Sequence, residues 1–189
     1  MPFLLLLGGA RAGKSSLAQE IGLRSGAAVT VIATAEPRDA EMADRIARHR
    51  DVRPERWVTV EEPIELLRSV RAAPEGRFLL VDCLTLWVSN LIEAEAPPAA
   101  ILARAGEVAT ALCSRPGGAV VVSNEVGLGI IPANELARVF RDTLGSVNTA
   151  FAALADRTGL LVAGRVHELP VAASFTEGIG WLRPPHSSP

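Results

Sequence analysis

A glycine-rich segment near the start of the chain constrains the fold more than any other feature of the sequence. Residues 8–15 read GGARAGKS and fit the pattern G-x-x-x-x-G-K-[ST]. The apolar run Phe3–Leu7 precedes the segment, and the helix-like stretch Ser15–Arg24 follows it. In this context backbone N–H groups curl around a phosphate that faces the helix N-terminus. The alternative is a glycine-rich turn that matches by accident, and the flanking elements argue against it.

Short apolar runs recur along the chain and alternate with helix-like stretches. The strand candidates are Phe3–Leu7, Ala28–Ala33, Trp57–Val60, Phe78–Val81, Ala119–Val122 and Leu160–Ala163. The helix candidates are Ser15–Arg24, Ala40–Arg50, Pro63–Val70, Leu84–Ile92, Ala99–Cys113 and Asn134–Arg157. Several runs are continuous rather than alternating, as in strands that are buried on both faces. The pattern predicts an α/β fold of the P-loop NTPase type, with a mostly parallel sheet flanked by helices.

The length of 189 residues suits one domain with a single core. No internal repeat or shift of composition divides the chain. We therefore expect one nucleotide-binding domain over residues 1–182. The remaining residues, 183–189, read RPPHSSP and are expected to form a flexible tail.

Charge and cysteine content exclude several classes of protein. The net charge is −2, so the chain is not expected to bind nucleic acid. Two cysteines, Cys83 and Cys113, make neither a disulfide scaffold nor a cysteine-based metal site. The apolar run Phe3–Leu7 is short for a signal peptide, and no stretch reaches the length of a membrane span. We expect a cytoplasmic protein without a membrane span.

The chain contains a single lysine, Lys14, among 19 Lys and Arg residues. It occupies the lysine position of the glycine-rich motif, where a compact ammonium fits beneath a phosphate chain. A composition so biased towards arginine would be expected to replace a dispensable lysine. The motif predicts that Lys14 contacts the β- and γ-phosphates and that the Ser15 hydroxyl ligates Mg²⁺.

An acidic residue, Asp82, closes the run Phe78–Val81. Phosphate-loop sites use an acid at the end of a neighbouring strand to hold the Mg²⁺ shell. The alternative is an ordinary aspartate that caps the following helix. We favour the metal role, because the site otherwise lacks its acid.

A histidine lies within a dense arginine cluster. Residues 45–56 read RIARHRDVRPER, and the five arginines are Arg45, Arg48, Arg50, Arg53 and Arg56. Met42, Ile46 and His49 share one face of a helix that should end soon after His49, since Pro54 disfavours helix at Arg53. From these residues alone, two interpretations remain. The segment is a solvated basic helix with an incidental histidine, or it binds a triphosphate beside a nucleophilic imidazole.

Asn124 and Glu125 follow the predicted strand Ala119–Val122. The carboxyl edge of a parallel sheet is where such folds bind ligands, which makes this turn a candidate site. A helix-capping turn ahead of Pro132 explains the same residues equally well, and both interpretations stay open. His167 and His186 show no metal-ligand spacing with the cysteines.

Taken together, several motifs resemble a known family. They are GGARAGKS, VIATAE, EMADRIARHRDVRPERWVTVE, LLVDCLTLWVSNL, SNEVGLGIIP and LARVFRDTLGSVN. The chain resembles, over residues 3–165, the bifunctional adenosylcobinamide kinase/adenosylcobinamide-phosphate guanylyltransferase of cobalamin biosynthesis. The glycine-rich loop is shared by many proteins, whereas the RIARHRD block and the NEVGLGIIP segment are more specific. The stretch after Gly164 matches nothing in the family.

The resemblance implies two successive reactions and a homo-oligomer, typically a trimer. ATP or GTP phosphorylates adenosylcobinamide; GTP then loads GMP onto a histidine, here His49, which passes it to the new phosphate. Lys14 is the second expected catalytic residue, and GTP, ATP and Mg²⁺, held by Ser15 and Asp82, are the expected cofactors. The implied nucleotide-binding residues are Gly8, Gly9, Ala10, Arg11, Ala12, Gly13, Lys14, Ser15, Ala33, Thr34, Ala35, Arg50, Asp51, Val52, Arg53, Glu61 and Asp82.

Two alternative functions are compatible with the glycine-rich loop. One is a P-loop kinase of another small hydroxylated metabolite, without a covalent nucleotide. The other is a regulatory module that binds a nucleotide and transfers nothing. The RIARHRD block argues against both, because neither function needs a histidine among arginines.

Overall fold

The computed structural model describes residues 3–171, except for the side chain of Arg45. Within this range, strands and helices alternate along the chain. The strands are β1 Phe3–Gly8, β2 Val29–Ala33, β3 Val58–Glu61, β4 Phe78–Asp82, β5 Ala119–Val122, β6 Arg157–Val162 and β7 Arg165–Leu169. The helices are α1 Lys14–Arg24, α2 Ala40–Asp51, α3 Leu66–Ala72, α4 Leu84–Glu93, α5 Pro98–Ser114 and α6 Glu135–Ala152.

The seven strands form one sheet in the order β3-β2-β4-β5-β1-β6-β7. The strand pairs are parallel except for the antiparallel pair of β6 and β7. This arrangement confirms the predicted α/β fold with a mostly parallel sheet. It also brings the carboxyl ends of β1 to β5 to one edge, where ligands bind in such folds.

The core lies on both faces of the sheet because successive side chains of a strand point to opposite sides. In β1, Leu5 and Leu7 pack into a cluster with buried side chains of α3 to α6, whereas Leu6 packs into a second cluster with Ala18 of α1. Trp57 closes this second cluster just before β3. The central strands are therefore buried on both faces, as their continuous apolar runs predict.

The main differences from the sequence-based expectation are two helix boundaries and one additional strand. The last helix ends at Ala152 rather than Arg157, since Asp156 donates its N–H to the Phe3 carbonyl (2.9 Å) and Arg157 begins β6. Helix α3 begins at Leu66, because the Glu62 carboxylate binds the N–H groups of a turn first. Strand β7 was not predicted.

Two other expectations concern the ends and surfaces of the fold. Strand β3 is exposed at the sheet edge, so the run Trp57–Val60 is not buried on both faces. The proposed tail, residues 183–189, and His186 lie outside the described residues, as does the proposed boundary at residue 182. Across residues 3–171, no helix combines the length and apolar character that crossing a membrane requires.

Candidate functional site

The glycine-rich loop joins β1 directly to α1 at the carboxyl edge of the sheet. Gly8 ends β1, and a side chain there would come within 2.4 Å of the Leu161 carbonyl oxygen, so only glycine fits. Gly13 has φ 98° and caps α1, a conformation that glycine adopts without strain. The loop is therefore built as predicted, with the N-terminus of α1 opening onto it.

Lys14 is the first residue of α1, and its side chain is buried. Its Nζ donates hydrogen bonds to the carbonyl oxygens of Gly8 (2.8 Å) and Gly9 (2.6 Å). The ammonium thus lies beneath the loop that is expected to surround the phosphates. Ser15 follows it and is half-buried, while Gly9, Ala10 and Arg11 are exposed.

A second group of predicted residues lines a cavity between α2 and the ends of β2, β3 and β4. The residues that line it are Ala33, Ala35, Met42, Ile46, His49, Arg50, Arg53, Thr59, Glu61, Asp82, Cys83 and Leu86. The predicted helical face of Met42, Ile46 and His49 therefore points into one site. Helix α2 ends at Asp51, soon after His49, as Pro54 predicts.

Asp82 is central to the charges of this cavity. Its Oδ2 lies 3.7 Å from Nδ1 of His49 and 3.9 Å from Nη2 of Arg53. The side chain of Arg53 is only 8% exposed. Burial lowers the pKa of the Arg53 guanidinium, while Asp82 raises it and Arg50 lowers it. A buried cation that depends on one carboxylate is well placed to accept further negative charge from a ligand.

The other arginines of the cluster differ in their placement. Arg50 forms an ion pair with Glu61 across the cavity mouth. Arg48 donates to the Asp44 carbonyl (3.2 Å) on the exposed side of α2. Arg56 is exposed. Of the four arginines in this cluster whose side chains the structure describes, Arg50 and Arg53 thus line the cavity with His49.

A buried network holds the floor of the cavity in place. The Thr34 hydroxyl donates to the Cys83 carbonyl (2.7 Å) and accepts from the Cys83 N–H (2.9 Å). Asn90 of α4 donates to the Thr34 carbonyl (2.8 Å). Burial, followed by the charge of Asp82, raises the pKa of the Cys83 thiol to about 11. Thr34 therefore acts behind the cavity wall and joins the ends of β2 and β4.

The structure brings the predicted site residues into two groups. The loop residues 8–15 lie at the end of β1, and the cavity residues lie around β4 and β2. Strand β5 separates β1 from β4, so the two groups begin about 10 Å apart at the usual strand spacing. Asp51 and Val52 are exposed beyond the cavity lining.

Sequence reasoning missed three lining residues, Thr59, Cys83 and Leu86. Cys83 directly follows Asp82, so its place at a strand end was a usable signal. Leu86 belongs to the first turn of α4, and Thr59 lies on the edge strand β3. Whether these residues line a cavity depends on where α2 lies relative to the sheet, which the sequence does not specify.

The chemistry of the two groups suits phosphate ligands more than a protein-bound metal. Among residues 3–171, no three His, Cys, Asp or Glu side chains are grouped so as to hold a metal ion. Ser15 and Asp82 offer the hard oxygen ligands that Mg²⁺ prefers, and Mg²⁺ commonly takes one or two protein ligands plus phosphates and water. The residues thus fit a magnesium ion that arrives with a nucleotide.

A family model matches residues 4–169 of the chain and is described as cobinamide kinase / cobinamide phosphate guanyltransferase. This match confirms the resemblance that the sequence motifs indicated. It also covers residues 165–169, so the expectation that nothing after Gly164 matches the family was wrong for this segment. It spans β1 to β7 and therefore includes the glycine-rich loop and the whole His49 cavity.

Similar proteins agree with this family. Bifunctional adenosylcobalamin biosynthesis protein CobP of Pseudomonas aeruginosa is 46% identical over 167 residues, which cover 85% of this chain and 92% of that protein. The Salmonella typhimurium protein CobU, with the same description, is 41% identical and covers 85% and 96%. A type III secretion ATPase structure shares the fold alone, with TM-score 0.52 and 13% identity over 85% of this chain and 51% of its own. The chain belongs to the cobinamide kinase / cobinamide phosphate guanyltransferase family.

Proposed function

We propose that the chain catalyses two successive reactions on a corrinoid substrate. ATP or GTP first phosphorylates the hydroxyl of adenosylcobinamide. His49 then accepts GMP from GTP and transfers it to the new phosphate, which gives adenosylcobinamide-GDP. The single observation that carries the proposal is His49 in a cavity with Asp82 and two arginines, in a chain of this family.

The surroundings of His49 support its role as the nucleophile. The Asp82 carboxylate near Nδ1 favours the tautomer that carries its proton there. Nε2 then presents its lone pair, which can attack the α-phosphorus of GTP. A phosphorus–nitrogen bond forms, the bond to the β-phosphate oxygen breaks, and pyrophosphate leaves. An oxygen of the new substrate phosphate then attacks the same phosphorus, a phosphoanhydride bond forms, and the phosphorus–nitrogen bond breaks, which frees the imidazole.

The two arginines support the departure of pyrophosphate. Arg53 is nearly buried and lies against Asp82, while Arg50 is half-exposed and pairs with Glu61. Guanidinium groups bind phosphate oxygens in bidentate fashion and stabilise the charge that develops on the leaving group. Both arginines are thus able to exchange a carboxylate partner for a phosphate.

The glycine-rich loop would hold the nucleotide phosphates. Backbone N–H groups of residues 8–15 and the start of α1 provide the positive surface, and Lys14 adds an ammonium from below. Ser15 and Asp82 would hold Mg²⁺, which neutralises phosphate charge when bound.

The proposal also covers assembly and location. Leu128, Ile130 and Ile131 expose 84%, 96% and 70% of their surfaces, as is typical of a region that another molecule covers. We propose a homotrimer, which light scattering of the purified chain would test. Both cysteines are free, in keeping with a reducing cytoplasm.

Intact mass spectrometry after incubation with GTP and Mg²⁺ tests the central claim. We expect one added GMP, which is lost on acid treatment because the phosphorus–nitrogen bond is acid-labile. His49→Ala should abolish the adduct, whereas His167→Ala, which removes an exposed histidine of β7, should keep it. An unmodified wild-type mass would refute the guanylyl-histidine step. Phosphorylation of cobinamide without any adduct would indicate a kinase alone.

A further inference from the structure

We propose that Glu125 is a catalytic residue of the phosphoryl-transfer step, in which its carboxylate accepts the proton of the substrate hydroxyl. The inference rests on the proposed kinase activity and adds a residue to it. The base for the first reaction then lies on the connection between β5 and α6. It is distinct from His49, which serves the second reaction.

Glu125 lies beside the glycine-rich loop. Its backbone N–H donates to the Gly8 carbonyl (3.1 Å), and the Ser123 N–H donates to the Leu6 carbonyl (2.9 Å). The segment after β5 thus continues the pairing with β1 as far as the first residue of the loop. A side chain at this position is next to the place where the terminal phosphate is expected.

The backbone at Glu125 is held from the opposite side as well. The N–H of Asn124 donates to the Thr85 hydroxyl (2.7 Å), and its carbonyl accepts from the Asn148 amide (3.0 Å). Thr85 belongs to α4 and Asn148 to α6, and both side chains are buried. Residues of two helices therefore fix the start of an otherwise irregular connection, which is what a base needs in order to be positioned accurately.

The carboxylate of Glu125 differs from the other acids at this edge. Asp82 lies against His49 and Arg53, and Glu61 is paired with Arg50. Among the described side chains, Glu125 forms no ion pair, and its Oε1 accepts one hydrogen bond, from the Gly127 N–H (2.5 Å). The group therefore keeps a carboxylate oxygen that no described cation or hydrogen-bond donor occupies.

The alternative role for this turn was to cap the following helix. The structure assigns that role elsewhere, because the Asn134 side chain accepts from the Ala137 N–H and α6 begins at Glu135. The turn at Asn124 and Glu125 lies well before that helix. A capping function therefore does not explain why the backbone at Glu125 is held beside the loop.

In the proposed step the O–H bond of the substrate hydroxyl breaks, and its proton moves to a Glu125 oxygen. The hydroxyl oxygen forms a bond to the terminal phosphorus, the bond from that phosphorus to the bridging oxygen breaks, and a nucleoside diphosphate leaves. A neutral alcohol is a poor nucleophile, and a positioned base contributes about 10²- to 10⁴-fold to such a step.

The first test compares the full-length wild type with Glu125→Gln. We expect kcat for cobinamide phosphorylation to fall by about 100-fold or more, with little change in KM for either substrate. GTP should still load GMP onto His49, which shows that the variant is folded and binds nucleotide. Glu135→Gln is the matched control, since Glu135 is an exposed acid at the far end of the same connection, and it should keep wild-type kcat.

A second variant moves the carboxylate without removing it. A side chain at Gly127 would come within 2.9 Å of Glu125 Oε1 and would meet no other atom of the described residues within 4 Å, chain neighbours aside. Gly127→Ala should therefore displace the carboxylate and lower kcat while the fold is kept. Glu125→Asp, which retains a base on a shorter arm, should recover part of the activity lost in Glu125→Gln.

The outcomes separate the inference from the function on which it rests. If the wild type phosphorylates cobinamide and Glu125→Gln keeps kcat within about threefold, far below the effect of a base, the inference is wrong. Equal loss of phosphorylation and GMP loading would also overturn it, since that result indicates a structural role. A wild type that phosphorylates no cobinamide would refute the proposed function itself.

Discussion

The Nδ1 atom of His49 lies 3.7 Å from Oδ2 of Asp82, although one residue is on α2 and the other ends β4. The contact couples the basic helix to the carboxyl edge of the sheet. It orients the imidazole and places Asp82 between the side chains of His49 and Arg53, because Arg53 approaches the same oxygen. Asp82 therefore orients His49, provides the carboxylate partner of Arg53 and is also a proposed magnesium ligand.

Asp82→Asn should lower both the free energy of unfolding and the rate of GMP loading. Arg53 would lose its carboxylate while staying buried, which is expected to lower the free energy of unfolding by about 1–3 kcal/mol. GMP loading should slow at least tenfold, since the imidazole also loses its acidic neighbour. Urea denaturation and the rate of adduct formation measure these effects. Asp44→Asn, an exposed change on α2, the helix that carries His49, should have little effect on either.

Lys14→Ala should weaken nucleotide binding and slow both reactions. The ammonium beneath the loop has no substitute, because Lys14 is the only lysine of the chain. Titration calorimetry with ATP and GTP and the two activity assays measure the loss. GMP loading at the wild-type rate in Lys14→Ala would show that the glycine-rich loop does not hold the GTP that reacts with His49.

Two glycines inside helices should respond to alanine with opposite signs. A side chain at Gly22 would come within 2.9 Å of the Trp57 ring, so Gly22→Ala is expected to destabilise the protein by about 1–3 kcal/mol through overpacking. At Gly145 nothing lies within 4 Å, so Gly145→Ala should stabilise α6 by about 0.5–1 kcal/mol. Denaturant titrations of the pair test the prediction, and equal shifts would contradict it.

Cys83 should react slowly with iodoacetamide. Burial and the nearby Asp82 raise the pKa of its thiol from 9.0 to about 11, so the thiolate fraction at pH 8 is lowered about 100-fold. Cys113→Ser leaves Cys83 as the one thiol, and its labelling by mass spectrometry should accelerate as the pH rises towards 11. Labelling at the rate of a free thiol would contradict the raised pKa of the Cys83 thiol.

The same shift predicts a pH dependence of stability. In the unfolded chain the Cys83 thiol ionises near its ordinary value of 9.0, whereas the folded chain keeps the proton up to about pH 11. The folded state is therefore favoured below pH 9, and this contribution is lost as the pH rises towards 11. Cys83→Ser should remove that part of the decline when unfolding is measured across this range.

Much of the fold follows from local pattern. The run Ala119–Val122 was predicted to the residue, because a strand buried on both faces is a continuous apolar segment. Strand β7 escaped prediction since its side chains are mostly exposed and it pairs with β6 through a tight turn, in which Ala163 and Gly164 have positive φ. An edge strand has few of the continuous buried apolar residues from which a strand is predicted.

The candidate site was predictable in its parts but not in its arrangement. Spacing placed Met42, Ile46 and His49 on one face, and the structure turns that face to the cavity. Spacing alone does not indicate which arginines face the cavity, because Arg48 and Arg50 both lie within one turn of His49. Tertiary contacts decide this, since Arg50 pairs with Glu61 of β3 while Arg48 bonds to the Asp44 carbonyl of its own helix.

The position of β5 between β1 and β4 has an evolutionary consequence. Substitutions in the connection after β5 alter the surroundings of the glycine-rich loop, whereas substitutions in α2 alter the cavity on the far side of β4. Under the proposed assignment, the two chemistries share a nucleotide-binding framework yet depend on separate, separately mutable segments. Selection could then adjust or discard one chemistry while the other is retained.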